Sequence, residues 1–349
     1  MRAAGKVIRA SLIALFVSMG IALAGGWWLT NHELKLLKSP LSVTGDGFHL
    51  LVRPGMTLSA ISSDLAARGI LQSPRSLVWY ARWNNLAPLI KAGEYAIPAG
   101  TTPLELLSLL IGGKVIQWSF TIIEGWTFRQ LREHLTTSPH LVHTLGRQDD
   151  DAVMALLGYR DVKPEGWFLP DTYHFPKGTT DVEFLRRALK AMQTTLNDEW
   201  SKRAPDLPFT KPYDALILAS IVERETGAAF ERPKIAGVFV RRLLKGMRLE
   251  ADPTVIYGLG DTFDGNITRA HLKTPTPYNT YTRRGLTPTP IAMPSRAAIH
   301  AVLHPEPGQE IFFVAKGDGT HYFSVTYAEH KKAVQEYQIK RKSKTVNDG

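Results

Sequence analysis

The stretch Asp214-Ala-Leu-Ile-Leu-Ala-Ser-Ile-Val-Glu223-Arg-Glu225-Thr-Gly227 decides how the rest of the chain is read. Residues 215–222 are apolar on every side of a helical wheel except at Ser220, and a helix apolar all round belongs at the centre of a domain. Asp214 is placed to cap its start and Gly227 to end it. Glu223 falls on one face with Leu216, Ala219 and Ser220 by i+3, i+4 and i+7 spacing, whereas Glu225 points about 200° further round. A carboxyl held against apolar surface favours its neutral form, which is the condition for a general acid. The competing reading makes Glu223 a structural acid paired with a nearby arginine such as Arg241, Arg242 or Arg248.

Working outward, Glu231-Arg-Pro233 opens a second helix with proline in its first turn. Met247-Arg-Leu-Glu-Ala-Asp252-Pro-Thr-Val-Ile-Tyr257-Gly258 and Thr276-Pro-Tyr278-Asn279-Thr280-Tyr281 then supply hydroxyls, amides and ring faces. Such groups hold a sugar, with flat apolar faces for the ring and hydrogen-bonding groups for its hydroxyls. The candidate substrate-binding residues are Ser220, Glu225, Asp252, Tyr257, Tyr278, Asn279 and Tyr281, around a catalytic Glu223. Upstream, Val182, Leu185, Leu189, Met192, Leu196 and Trp200 share the face of a helix from Asp181 to about 203, stopped by Pro205 and Pro208. Downstream, Ile311–Ala315 and His321–Val325 read as a hairpin around Gly317-Asp-Gly319, with a last helix after Thr326. Elements so mixed make an α+β domain.

Nearer the N-terminus a phrase recurs three times. Gly55-Met-Thr57, Gly100-Thr-Thr102 and Gly125-Trp-Thr127 each follow a strand-like run and precede a short amphipathic helix. Each predicts a turn at glycine and a threonine N-cap. The phrase resembles the opening of LysM modules, small β-α units that bind N-acetylated glycans. The plain alternative is scaffold, since strand, turn and helix form a common unit.

Ala10 to Leu29 is a run of 20 residues without a charge, preceded by Arg2, Lys6 and Arg9 and ending near Trp27-Trp28. As a helix it would span roughly 30 Å, one hydrocarbon core. The cationic flank places the N-terminus in the cytoplasm and the remainder outside. A cleaved signal peptide with Ala22-Leu23-Ala24 as its site is the competing reading, disfavoured by the length of the run. The expected organisation is a cytoplasmic N-terminus over 1–9, a transmembrane helix over 10–29, a linker over 30–47, a LysM-like glycan-binding or scaffold region over 48–138, and a catalytic domain over 139–349.

The 349 residues carry 42 Lys+Arg against 32 Asp+Glu, a net charge of +10, and no cysteine. The charge favours an anionic partner, and the topology points to lipid headgroups or cell-wall carboxylates rather than nucleic acid. Without cysteine there is no disulfide scaffold, Cys-ligated zinc, iron–sulfur site or thiol nucleophile. The Gly-Lys pairs at Gly5 and Gly113 are both followed by valine, so there is no P-loop. His300 and His304 stand at i, i+4, but Ala301 occupies the place of the metalloprotease glutamate and Pro305 closes the helix. They read as ordinary histidines, and no metal or cofactor is expected.

Taken in order, Glu165-Gly-Trp-Phe-Leu-Pro-Asp171-Thr-Tyr173, Ala219-Ser-Ile-Val-Glu223-Arg-Glu225-Thr, the 247–258 phrase and Tyr278-Asn-Thr-Tyr281 resemble the YceG/MltG family, the endolytic murein transglycosylases. The resemblance runs from the anchor almost to the C-terminus. It departs at Glu250, where Gln is expected. It implies a single-pass inner-membrane lyase whose periplasmic domain cuts nascent peptidoglycan strands between N-acetylmuramic acid and N-acetylglucosamine, leaving a 1,6-anhydro end. Termination of strand elongation would follow, with cell-wall synthases as candidate companions. The family's catalytic glutamate is placed on Glu223. Two rivals stand beside it: a hydrolytic muramidase using Glu223 with Asp252, and a non-catalytic peptidoglycan-binding scaffold.

Overall fold

The computed structural model describes residues 19–21, 23–28, 30–43 and 45–339. Among them no helix is long and apolar enough to cross a membrane. Most of the expected spanning run, 10–29, lies outside the described residues. The described residues form two compact units, one of those up to Trp118 with Phe175–Gly178, the other of Ser119–His174 with those from Thr179 onward.

In the first unit β1 (Gly47–Val52) is followed by α1 (Leu58–Ala67), α2 (Pro74–Trp83), β2 (Gly93–Pro98) and α3 (Pro103–Gly112). The strands pair antiparallel with Phe48 opposite Ile97 and Leu50 opposite Tyr95. Strand alternation sends Leu50, Val52, Tyr95 and Ile97 inward, all almost fully buried against Ile61, Leu65, Leu77 and Leu106 of the three helices. Thr57 caps α1, and Thr102 forms a capping box with Glu105 at α3. Gly55 and Gly100 hold φ of 78° and 82°, a left-handed turn that residues with a Cβ rarely adopt.

The segment read as a linker is structured: residues 30–38 are helical, and Leu37 and Leu41 join the core. Leu37 reaches it from the last turn of that helix and Leu41 from the non-helical segment after Pro40. Glu33 fastens that helix, its carboxylate accepting hydrogen bonds from the Ser73 and Ser76 hydroxyls at the start of α2.

The second unit contains α4 (Phe128–Thr137), α5 (Asp150–Leu157), α6 (Asp181–Ser201), α7 (Pro212–Glu225), α8 (Arg232–Leu244), α9 (Asp252–Leu259), α10 (Arg269–Lys273) and α11 (Arg296–Leu303). The hairpin of β5 (Phe312–Ala315) and β6 (His321–Ser324) follows, then α12 (Tyr327–Val334), as read from the sequence; Phe313 sits opposite Phe323. Earlier in the chain β3 (Gln117–Thr121) and β4 (Thr172–Pro176) pair as a separate two-stranded sheet.

The third Gly-x-Thr phrase behaves locally like the other two, with Gly125 at φ 77° and Thr127 in a capping box with Gln130. It nevertheless belongs to the second unit, so the division falls at Trp118 and not at 138. The cause is tertiary. Gly125 and Trp126 exchange backbone hydrogen bonds with Met293, and Phe128 stacks on Phe168 at 5.2 Å.

Helix α7 is the axis of this unit and packs against α6, α8 and α11. Leu216, Leu218, Ile221 and Val222 are wholly buried, each contributing roughly 1.5–3 kcal/mol relative to exposure. The helix begins two residues before Asp214, which acts from the third position of a capping box: its carboxylate accepts the Thr210 and Lys211 N–H groups. It ends at Glu225, where Thr226 turns to extended backbone before Gly227 is reached.

Candidate active site

Glu223 and Glu225 leave the last turn of α7 in different directions. The Glu223 side chain is 4% exposed. Its Oε2 accepts the Ser295 N–H at 2.8 Å and the Ser295 hydroxyl at 2.5 Å, and its Oε1 accepts Arg232 Nη2 at 2.9 Å. Ser295 is the N-cap of α11, so Glu223 joins α7 to the start of α11 and to α8. The structure therefore gives Glu223 the surroundings of a structural acid, with both oxygens engaged. Its arginine partner is Arg232. Arg241 instead donates to the Glu306 and Glu310 carbonyls, and Arg242 to those of Leu249 and Ile311.

Glu225 is half-buried and lines a cleft of about 410 Å3. Its Oε1 is screened from solvent and has no hydrogen-bond partner. Burial, with the Asp252 charge second, pushes its pKa up to about 8, against the opposing pull of Arg242. The carboxyl is thus protonated at neutral pH and free to donate, the state a general acid needs. Asp252, the first residue of α9, shares the cleft and accepts the Tyr281 hydroxyl at 2.6 Å. Burial, and after it that carboxylate, hold the Tyr281 hydroxyl well above the ordinary tyrosine range, so it remains a donor.

The opposite wall comes from Phe312, Tyr327 and His330 of the hairpin and α12. Arg242 lies 5.3 Å over the Phe312 ring and holds the wall through its bonds to Ile311 and Leu249. Glu250 stands at the cleft with φ 53°, a left-handed backbone unusual outside glycine. Strained residues of this kind concentrate at functional sites.

The other sequence candidates divide. Ser220 and Asn279 are fully buried and serve the fold, which removes them from substrate contact. Ser220 accepts the Ile291 N–H and donates to the Ile217 carbonyl. Asn279 donates to the His271, Leu272 and Thr274 carbonyls and accepts the Tyr281 N–H, shaping the loop that carries Tyr281. Tyr257 and Tyr278 face a different cleft, together with Glu165. Away from both clefts, Glu199, His300 and His304 bring ligand atoms within 4.8 Å of one another and could hold a cation. Glu199 is already taken by Arg296 and by His300 Nδ1, both at 2.8 Å. Sequence reading paired the two histidines but missed Glu199, which arrives from another helix.

Arg242 as a wall-builder and Glu225 as the free acid were also missed. The only local signal for Glu225 was its position at the helix end, beyond the apolar run.

Residues 50–336 match the model of the YceG-like family. A Bacillus subtilis (strain 168) protein named endolytic murein transglycosylase is 29% identical over 300 residues, covering 81% of this chain and 82% of that one. A protein of the same name from Streptococcus pneumoniae D39 is 26% identical over 369 aligned positions, covering 95% of this chain but only 65% of its own longer length. The 2.6 Å crystal structure of a yceG-like protein from Listeria monocytogenes aligns with a TM-score of 0.52 at 28% identity, over 83% of this chain and 99% of that one. The family model thus takes in α1 through α12, including α7 with its two glutamates and the cleft beside Glu225, and the chain belongs to the YceG-like family.

Proposed function

We propose that the chain is an endolytic murein transglycosylase, a lyase that cuts peptidoglycan strands, and that Glu225, in place of Glu223, is its acid and base. The observation that carries this assignment is the unpartnered, screened Oε1 of Glu225 in an open cleft. Glu225 donates its proton to the oxygen joining N-acetylmuramic acid to N-acetylglucosamine as that bond breaks through an oxocarbenium-like state. The carboxylate left behind takes the proton of the muramic acid C6 hydroxyl, whose oxygen closes on C1 as a 1,6-anhydro ring. The leaving sugar keeps the first proton, the enzyme regains the second, and no water is consumed. An intramolecular nucleophile removes the need for a second carboxylate to activate water. Arg242 steadies the transient anion, and Tyr281 with Asp252 presents hydrogen-bonding groups to the sugar.

The run 10–29 is inferred to anchor the chain in the membrane, with Trp27 and Trp28, both more than half exposed, at the interface. The first unit is inferred to touch glycan in the manner of a LysM module. In support, two of its helices, α1 and α2, lie between two antiparallel strands in the order strand, helix, helix, strand.

The decisive experiment incubates the full chain and its Glu225→Gln variant with purified peptidoglycan and weighs the released fragments. Products one water lighter than hydrolytic ones, absent with the variant, are expected. Reducing-end products would instead make the enzyme a muramidase, with Asp252 as the group that activates water. No products from the unmutated chain would return the scaffold reading.

A further inference from the structure

A second cleft in the same unit, of about 720 Å3, is used by nothing described so far. Its floor is Glu165, 6% exposed. Glu165 Oε1 accepts the Phe128 N–H at 3.0 Å and Oε2 accepts the Tyr257 hydroxyl at 3.1 Å. The Gly166 N–H is also directed at this carboxyl, and with about four lone-pair positions on its two oxygens room remains for one more donor. The walls are aromatic: Tyr257 and Tyr278 meet edge to face at 4.9 Å, and Phe263 adds a half-buried ring. Thr289 lines the same wall and hydrogen-bonds the Tyr278 hydroxyl at 2.8 Å.

The backbone is built to hold this arrangement. Gly166 sits at φ 82°, and a Cβ there would come within 2.5 Å of the Pro290 ring, so only glycine lets the Glu165 turn close on the loop carrying Thr289. The cations at the rim are already paired, Lys163 with Asp151 and Arg129 with Asp261, so the site offers rings and a hydrogen-bond acceptor more than free positive charge.

Helix α9 connects the two clefts. Asp252 at its start lies in the Glu225 cleft, and Tyr257 lies in the second. Five residues of helix separate them by about 7.5 Å along the axis, a distance on the scale of one or two sugar units.

We propose that the second cleft binds N-acetylated sugar residues of the same strand whose bond is cut beside Glu225, with Tyr257, Tyr278 and Phe263 as packing faces and Glu165 as acceptor for a hydroxyl or acetamido N–H. The inference rests on the reading of the chain as a glycan-cutting enzyme and adds where the strand is held. An enzyme that cuts inside a polymer has to grip it beyond the scissile bond, and binding at a distance from the chemistry positions the reacting sugar.

The test is calorimetric titration of the full-length Glu225→Gln chain in detergent with N-acetylglucosamine oligomers of increasing length. Affinity is expected to climb once the oligomer reaches from one cleft to the other. Adding Glu165→Gln or Phe263→Ala is expected to remove that climb, a loss of about tenfold, while the shortest oligomers bind as before. Phe263 forms no part of the Glu165 hydrogen bonds, so its variant separates a lost contact from a disturbed fold. A length dependence that both variants leave intact overturns the proposal. So does sensitivity of free stem peptides, and not of oligosaccharides, to these substitutions, which makes the cleft a peptide site. If oligomers bind in this way but the unmutated chain cuts nothing, the enzyme reading fails and the binding site stands. If it cuts and binding ignores length, only the present inference fails.

Discussion

Glu223 and Glu225 stand two residues apart on one helix and meet opposite surroundings. Glu223 is the more deeply buried, yet Ser295 and Arg232 engage both of its oxygens. Glu225 is less buried, yet its screened oxygen has no partner and its proton is held to about pH 8. Burial alone therefore does not make a proton donor. A buried carboxyl supplied with a guanidinium and two donors is a structural tie, whereas one that faces a cleft without such partners retains its proton for chemistry.

The largest effect that would break this comparison concerns activity. Glu225→Gln should lower strand cutting by about a thousandfold with an unchanged circular-dichroism spectrum. Glu223→Gln should leave the chemistry measurable wherever the variant is folded. The opposite ranking would return the acid to Glu223. Stability should show the reverse order. Arg232→Met takes the guanidinium from the buried Glu223 carboxyl, and thermal unfolding should report a loss of about 3 kcal/mol.

The pH dependence sharpens the contrast. The rate profile should fall on its alkaline side near pH 8 as Glu225 loses its proton. Stability follows in the same direction. The folded-state value lies above the ordinary 4.5, so the native chain holds an extra proton between pH 4.5 and about 8 and loses stability as pH rises through that window. Glu225→Gln should accordingly raise the melting temperature more at pH 9 than at pH 5, by about 5 °C.

Asp252→Asn removes a charge that favours protonated Glu225, so the alkaline limb should move to lower pH; a limb that stays in place would detach Asp252 from the acid. The smallest effect is expected at Glu250. Glycine there relieves the left-handed backbone but gives up the 3.3 Å contact with Arg242, for a net change within about 1 kcal/mol. A denaturant titration measures that balance.

Much of this was legible in the chain. Thr57, Thr102 and Thr127 cap their helices as read, because a cap is settled by neighbours within four residues. The hairpin at 312–324 and the long helix from Asp181 follow from short-range patterning for the same reason. The division of the chain after the second Gly-x-Thr phrase was not legible, since Met293 and Phe168 draw the third phrase into the second unit. The choice between the two glutamates was also hidden. Helix α7 is apolar all round up to Val222, so periodicity could not say which flank faces a cleft.

Periodicity, capping and composition determined the elements, the central apolar helix and the pair of acids at its end, because each depends on residues close together in sequence. The tertiary structure decided which acid keeps a free proton. That outcome depends on Ser295, 72 positions away from Glu223, and on Asp252, Arg242 and the hairpin that close around Glu225. Ionisation is governed by solvent exclusion and neighbouring charge in space, and neither is encoded in the spacing of residues along a helix.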